Sequence, residues 1–361
     1  SQMSISLPGP KGELQPTMNF YSGYTMKNKA HAVGALVWKH RMDLFAQGSI
    51  TKSYIAAIIL QLAYEGRLSL SDPLGKYFPE YPDWGNVTIQ QLLNMTSGIY
   101  NWTDDAAIAK KMFAHPARQW QPINFVRIAY HHHGAPSDTC KTGGNLCFAP
   151  GTSYLYSNTD YILAGMIIQK VTHCSLSQVM DKRLLGAQST LGKLNNTFFM
   201  KPYSSRVLAR LIHGYGVYGQ KGVQPKDLTN LTMNITAADG GNVSNSEDII
   251  NWSRLLFQSN AVLSDKQKKD LESLICEDKK SACFGQPVST LDSSCRNGYG
   301  LGISGEYAGK GAGIVWNYTG EDPGYLASFY LWPKYNIDVA IQRDTDTDGD
   351  SSHINDLYNH V

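Results

Sequence analysis

Charge is scarce in this sequence: Asp, Glu, Lys and Arg make up 17% of its 361 residues, where about 25% is usual for a globular domain. The 32 basic side chains nearly cancel the 30 acidic ones, leaving a net charge of +2. No segment concentrates Lys and Arg as a phosphate backbone would require, which excludes nucleic acid as a natural partner. Long apolar runs are missing as well. The longest, such as Tyr54 to Leu60, fall far short of the roughly 18 residues that span a bilayer, so no transmembrane segment is expected. No CxxC pair occurs, and a thiolate zinc site reads poorly without one. A basic and apolar leader is also lacking, since the chain opens Ser1-Gln2-Met3; that start suits a mature secreted chain and a cytosolic one equally.

What is present points to a large globular protein. The chain is 42% hydrophobic, enough for one large domain or two modest ones with a real core. Low charge with 33 Gly and 21 Tyr is a texture more usual in secreted or periplasmic proteins. The six cysteines lean the same way. Cys140 and Cys147 bracket the short loop CKTGGNLC and are expected to pair, while Cys276, Cys283 and Cys295 cluster further on. Two or three local disulfides follow from this pattern, with Cys174 left as a buried free thiol.

Apolar residues recur at helical spacing from Ile50 to Tyr64, and Gly66 stops the pattern, which places Ser49 at a helix N-terminus. A capping Thr88 opens a second helix to Leu93, and further helices are predicted over 161–171, 177–185 and 246–257. After about Asn297 the texture changes to Gly-punctuated, β-branched and aromatic runs, read as strands over 299–303, 313–316, 326–332 and 337–341. Residues 351–360 read as a closing helix. The fold class predicted is α/β (α+β): an antiparallel sheet flanked by helices, with 1–70 and 246–361 forming the sheet domain and 71–245 an inserted helical domain.

Ser49-Ile50-Thr51-Lys52 puts a hydroxyl and an amine about one turn apart on one helix face. If the amine is held neutral it can take the serine proton, while the Ser49 backbone N–H can donate to a developing oxyanion. This is the only SxxK in the chain, and the only Tyr-x-Asn is Tyr156-Ser157-Asn158, behind the turn Pro150-Gly151-Thr152. A phenol beside a lysine can share the acid and base work. Taken alone, the first pattern is also that of an N-capping serine with an exposed lysine, and the second that of a core tyrosine.

Four blocks in order resemble the serine β-lactamase-like family, which includes class C β-lactamases, D-Ala-D-Ala carboxypeptidases and related esterases. They are GSITKSYIAAIILQLAYEGRLSLSDPLGKYFPEYPDWGNVTIQQLLNMTSGIYNW, PGTSYLYSNTDYILAGMIIQKVT, GGNVSNSEDIINWSRLLF and NYTGEDPGYLASFYLWPKYNIDVAI. The resemblance spans about Leu44 to Ile341. It implies an acyl-enzyme on Ser49, with Lys52 and Tyr156 sharing general base and acid duty and Asn158 positioning the substrate and Lys52. The backbone N–H groups of Ser49 and Glu321 would form the oxyanion hole, and Thr319 and Gly320 would line the substrate strand. No cofactor and no metal are implied; the implied partner is a small molecule or peptide, such as a cell-wall stem peptide or a β-lactam. One position departs from the pattern: Tyr318 stands where the family usually has Lys or His. A phenol brings no charge to bind a substrate carboxylate, which favours an esterase, an amidase or a non-catalytic binder, or a peptidase with another anchor such as Arg343 or Lys334. The N-terminal part is short for the family, so Gly23 to Trp38 is expected to supply strands.

Three other signals carry less. His131-His132-His133 projects in different directions and has no carboxylate at ligand spacing. Asp344-Thr345-Asp346-Thr347-Asp348-Gly349 begins like a calcium loop but has Asn355 where a bidentate Glu belongs. Nine Asn-x-Ser/Thr sequons, including Asn94 and Asn317, read as composition.

Overall fold

The computed structural model describes residues 1–7, 18–21, 42–131, 140, 145–185, 191, 194–199, 203–216, 226–235 and 237–346. Its centre is a nine-stranded antiparallel sheet built from β1 (Gln2–Ser6), β2 (Met18–Tyr21), β3 (Leu274–Cys276), β4 (Pro287–Val288), β5 (Asn297–Tyr299), β6 (Ser304–Tyr307), β7 (Ile314–Asp322), β8 (Tyr325–Trp332) and β9 (Ile337–Arg343). The strand order is β2-β1-β9-β8-β7-β6-β5-β3-β4, with every pair antiparallel. The fold is the mixed helix and antiparallel sheet expected from the sequence. Alternate residues of β8 serve two faces, as a two-residue period requires. Ala327, Phe329 and Leu331 enter the main hydrophobic cluster, while Leu326 and Tyr330 join Val315 in a smaller one.

The α-helices of five residues or more among the described residues are α1 (Thr51–Tyr64), α2 (Ile89–Leu93), α3 (Ala106–Ala114), α4 (Pro122–Tyr130), α5 (Asn158–Thr172), α6 (Leu176–Met180), α7 (Thr229–Ile235), α8 (Ser246–Phe257) and α9 (Asp265–Leu271). Residues 71–245 hold α2–α7, and the strands of the large sheet come from outside that span. One cluster nevertheless runs through α1, α5, α8 and the sheet, so the two parts share a core. Helix α1 is buried on nearly all sides from Thr51 to Leu60, which explains why it is apolar around its whole circumference. Its Tyr54 ring stacks on Trp252 of α8 at 3.7 Å, and Trp252 Nε1 donates to Ser53 Oγ at 2.8 Å. The Thr88 cap is a full capping box with Gln91.

Several boundaries differ from the sequence reading. The run 299–303 is not one strand: β5 ends at Tyr299, β6 starts at Ser304, and a turn joins them. Gly302 makes this turn at φ +77, and a Cβ there would stand 2.7 Å from the Tyr161 hydroxyl and 2.9 Å from the Lys52 carbonyl. The close approach of the turn to α1, not strand propensity, placed the glycines. The two N-terminal strands, β1 and β2, precede the segment 23–38, which lies outside the described residues, as does the closing helix expected at 351–360. Cys140 is bonded to Cys147 and Cys276 to Cys295. Cys174 is free but exposed rather than buried, because it follows the left-handed cap His173 at the end of α5. Asn94 is buried, so that sequon is indeed composition.

Candidate active site

The short strand Phe45–Ala46 pairs with Asn242–Ser244, and a single 3-10 turn, Gly48–Ile50, leads from it into α1. Ser49 therefore sits at the mouth of the helix, with Lys52 one turn inside. Gly48 has φ +50 and packs on the backbone of β7: a Cβ there would lie 2.6 Å from Glu321 N. One on Gly320 would lie 2.8 Å from Ser49 N and collide with the Gln47 carbonyl. Only two glycines let these backbones meet, and the meeting sets the Ser49 and Glu321 N–H groups side by side.

Lys52 is fully buried. Its ammonium has three protons, and each has an acceptor: Ser49 Oγ at 2.8 Å, Asn158 Oδ1 at 2.7 Å and the Asp239 carbonyl at 2.7 Å. The Tyr156 hydroxyl reaches Ser49 Oγ at 2.6 Å, and Lys52 Nζ lies 5.0 Å from the centre of the Tyr156 ring. Asn158 opens α5. It is fixed by a hydrogen bond from its backbone N–H to Asn101 Oδ1 at 3.0 Å and by one from Nδ2 to Thr103 Oγ1 at 3.2 Å. Asp239 accepts from Trp102 Nε1 at 3.2 Å; burial pushes its carboxyl up, while the nearby Lys52 charge pulls it down. Asp160, two residues along α5, accepts from Ser97 Oγ at 2.8 Å, and burial pushes its carboxyl well up.

These groups open on a cavity of about 440 Å³. Ser49, Tyr156, Asn158, Thr319 and Glu321 line its polar side; Ile108, Met112 and Phe113 of α3 and Leu231 and Ile235 of α7 line its apolar side. The structure thus brings Ser49, Lys52, Tyr156 and Asn158 into mutual contact and sets Thr319 and Glu321 on the same wall. Gly320 supports that wall from behind as a backbone contact. Tyr318 does not reach the cavity. It is 3% exposed, and its hydroxyl bonds the Tyr299 hydroxyl beneath Tyr156.

No cation other than Lys52 adjoins the cavity among the described residues. The proposed anchors fall elsewhere for a topological reason. Lys334 lies in the β8–β9 turn, at the opposite end of β8 from the cavity, and donates to the Gly311 carbonyl. Arg343 pairs in register with Leu326 and lies by Asp344 and the amino terminus. Asp239, Trp102 and Tyr299 were missed from the sequence as site residues. The signal for Trp102 and Asp239 was their place inside or beside the quoted blocks, and Tyr299 opened a run read only as a strand. The sulfurs of Cys276, Cys283 and Cys295 lie within 4.8 Å of one another, but the disulfide consumes two of the three. His131 packs on Tyr130; His132, His133 and the acidic run beyond Asp346 lie outside the described residues.

Known proteins resemble this chain in sequence and in fold. The Staphylococcus aureus (strain MW2) protein named Protein flp is 29% identical over 299 residues, 81% of this chain and 51% of its own length. The chain thus spans about half the length of that curated relative. A D-stereospecific amidohydrolase from Streptomyces sp. superposes with a TM-score of 0.72 at 25% identity, covering 97% of this chain and 91% of its own. A penicillin binding protein from Bacillus halodurans superposes at 0.70 and 17% identity, over 96% and 91%. The family model described as Beta-lactamase matches residues 21–357, nearly the whole chain, and the chain therefore belongs to the beta-lactamase family.

Proposed function

We propose that the protein is a serine hydrolase that forms an acyl-enzyme on Ser49 with an amide or ester whose acyl part is apolar and whose leaving group is uncharged. The observation that carries this reading is the placement of Ser49 Oγ between Lys52 Nζ and the Tyr156 hydroxyl, at 2.8 and 2.6 Å, on the floor of a cavity. In the reactive form, in which Tyr156 has first given up its own proton to solvent, the proton of Ser49 goes to the Tyr156 oxygen along the 2.6 Å contact between them, while Lys52 holds Ser49 Oγ at 2.8 Å. Ser49 Oγ attacks the carbonyl carbon, and the oxyanion forms between the Ser49 and Glu321 N–H groups. Tyr156 returns the proton to the leaving group as the C–N or C–O bond breaks. Water, deprotonated in turn by Tyr156, releases the acid.

D-Ala-D-Ala carboxypeptidase action, the leading reading from sequence alone, requires recognition of a free carboxylate. The cavity offers no cation for it beyond Lys52, which is already saturated. The apolar wall of Met112, Phe113 and Leu231 suits a branched or aromatic acyl side chain. An amide substrate accords with the name of the Streptomyces neighbour. Disulfides and the absence of any helix long and apolar enough to cross a membrane among the described residues fit a secreted or periplasmic setting.

Ser49→Ala is expected to abolish turnover of p-nitrophenyl esters with an unchanged circular-dichroism spectrum, while a fluorophosphonate labels the wild type at Ser49 in a peptide map. Full activity in Ser49→Ala, or labelling at another residue, would end this reading. A burst of one equivalent without further turnover would indicate a binder instead.

A further inference from the structure

Strand β3 lies between β4 and β5, antiparallel to both, and Cys276 ends it. On one side Cys276 pairs in register with Gly298, and Cys295 lies shortly before that partner in the chain. On the other side its N–H donates to the Gln286 carbonyl at 2.9 Å, and Cys283 lies at the same remove before Gln286. Two loops thus deliver one cysteine each to the same end of one strand, from opposite flanks. The three sulfurs lie within 4.8 Å of one another; Cys276 is bonded to Cys295, and Cys283 is a half-buried free thiol. The Ser281 hydroxyl stands 3.0 Å from the Cys283 sulfur, placed to donate to a thiolate there.

The loop that carries Cys283 also braces the chain leading to Tyr156. Glu277 accepts from the Tyr154 hydroxyl at 2.9 Å, the Phe284 ring stands edge-on to Tyr154 at 6.2 Å, and Gln286 Nε2 donates to the Thr152 carbonyl at 3.2 Å. Gly285, at φ +76, lets the two backbones touch, since a Cβ there would lie 2.6 Å from Ser153 Cα. A shift of this loop is therefore passed to the segment whose Tyr156 hydroxyl meets Ser49 Oγ at 2.6 Å.

We propose that Cys276 is a pivot sulfur shared by two alternative disulfides, with Cys295 and with Cys283, and that the choice between them sets the position of Tyr156 and hence the rate of acylation. The second clause rests on the reading of Tyr156 as the base. In the exchange the Cys283 thiolate attacks Cys276 Sγ. The Cys276–Cys283 bond forms as the Cys276–Cys295 bond breaks, and Cys295 leaves as a thiolate that takes up the proton Cys283 gave to solvent. One thiol is consumed and one released, so no oxidant or reductant is required. The attacking sulfur has less than about 3 Å to travel before it reaches a bonding distance of about 2 Å. The new loop has the same sequence separation, 7 residues, as the one that Cys140–Cys147 closes.

The test is a pairing map of the wild-type chain. The protein is held at about pH 9, where thiols ionise, without oxidant or reductant, then acidified and capped with N-ethylmaleimide. Cleavage before Asp278 and before Asp292 puts the three cysteines on three peptides for mass spectrometry. Two populations are expected: Cys276–Cys295 with Cys283 capped, and Cys276–Cys283 with Cys295 capped. Cys283 capped in every molecule, or bonded to Cys295, overturns the proposal. Cys295→Ser and Cys283→Ser each leave one pairing, and their kcat/KM values on a p-nitrophenyl ester are expected to differ about threefold or more, because a small displacement of a proton-transfer group is felt in the acylation step. Where a variant does not fold, the same ester assay on the wild type before and after the incubation replaces it, and activity should change as the second pairing accumulates. Activity that is equal for both pairings overturns the coupling to Tyr156. Fluorophosphonate mapping of the same samples separates the failures: label at Ser49 with a single pairing sinks this inference alone, whereas label at another residue sinks the reading of the site.

Discussion

Lys52 and the Arg254–Asp338 pair both carry charge into the interior, with different provision for it. The Lys52 ammonium has no carboxylate bonded to it among the described residues, yet each proton has an oxygen within 2.8 Å. Arg254 of α8 and Asp338 of β9 have opposite charges, yet their closest approach is 3.9 Å. Among the described residues no hydrogen bond reaches Asp338 Oδ1 or Arg254 Nε and Nη2. A buried charge is held by matched hydrogen bonds more than by a nearby opposite sign, because desolvation offsets most of the Coulombic gain. The fold spends its matching where Ser49 needs it and leaves the pair under α8 imperfect.

The sharpest way to break this contrast is Lys52→Met. Its kcat/KM on an ester is expected to fall about a thousandfold or more. Its melting temperature should fall too, because Asn158 Oδ1 and the Asp239 carbonyl lose their donor. Thermal melts that show no loss would mean the matching is not what supports this charge.

The Asp338 carboxyl gives the next effect. Burial pushes it up to about 7, against the Ser253 hydrogen bond and the Arg254 charge that pull it down. In the unfolded chain it titrates near about 4. The native state thus holds a proton between about 4 and 7 that the unfolded state has lost, so stability from this group is greatest below that window and falls as pH rises through it. Asp248, pushed up to about 6 by burial, acts with the same sign. Asp338→Asn should flatten the decline of melting temperature across this window, by no more than about 4 kcal/mol in total at roughly 1.4 per pH unit. A slope identical to wild type would place the proton elsewhere.

The smallest effect belongs to a well-formed but wet pair. Arg183 meets Glu65, at the end of α1, through two bonds of 2.7 and 2.8 Å, with side chains 20% and 44% exposed. Arg183→Met is expected to cost about 1 kcal/mol or less, and high salt should erase the difference in denaturant melts. A larger cost would show that geometry outweighs burial.

Much of this architecture was readable in the residues because it rests on local signals. The helix over 246–257 was read to the residue, since Asn245 caps it and its apolar stripe has one clean period. Ser49, Lys52, Tyr156 and Asn158 were singled out by short motifs, and the structure sets them in contact. What escaped was non-local. The turn at Gly302 answers to α1 and Tyr161, distant in the chain. Strand β1 was not anticipated because its polar residues Ser4 and Ser6 are buried beside α8, where Ser4 Oγ meets Ser246 Oγ at 2.6 Å. The inward turn of Tyr318 depends on Tyr299, a partner that spacing cannot name.

The contact of Gly48 with Gly320 works as a gauge block. The gap between the two N–H groups that would receive an oxyanion is fixed by backbone resting on backbone, with no side chain in between that thermal motion or a neighbouring substitution could adjust. Tolerance at this joint is therefore a property of peptide geometry, and side chains at 318 and 321 can be exchanged without resetting it. One added methyl at either glycine changes the dimension itself.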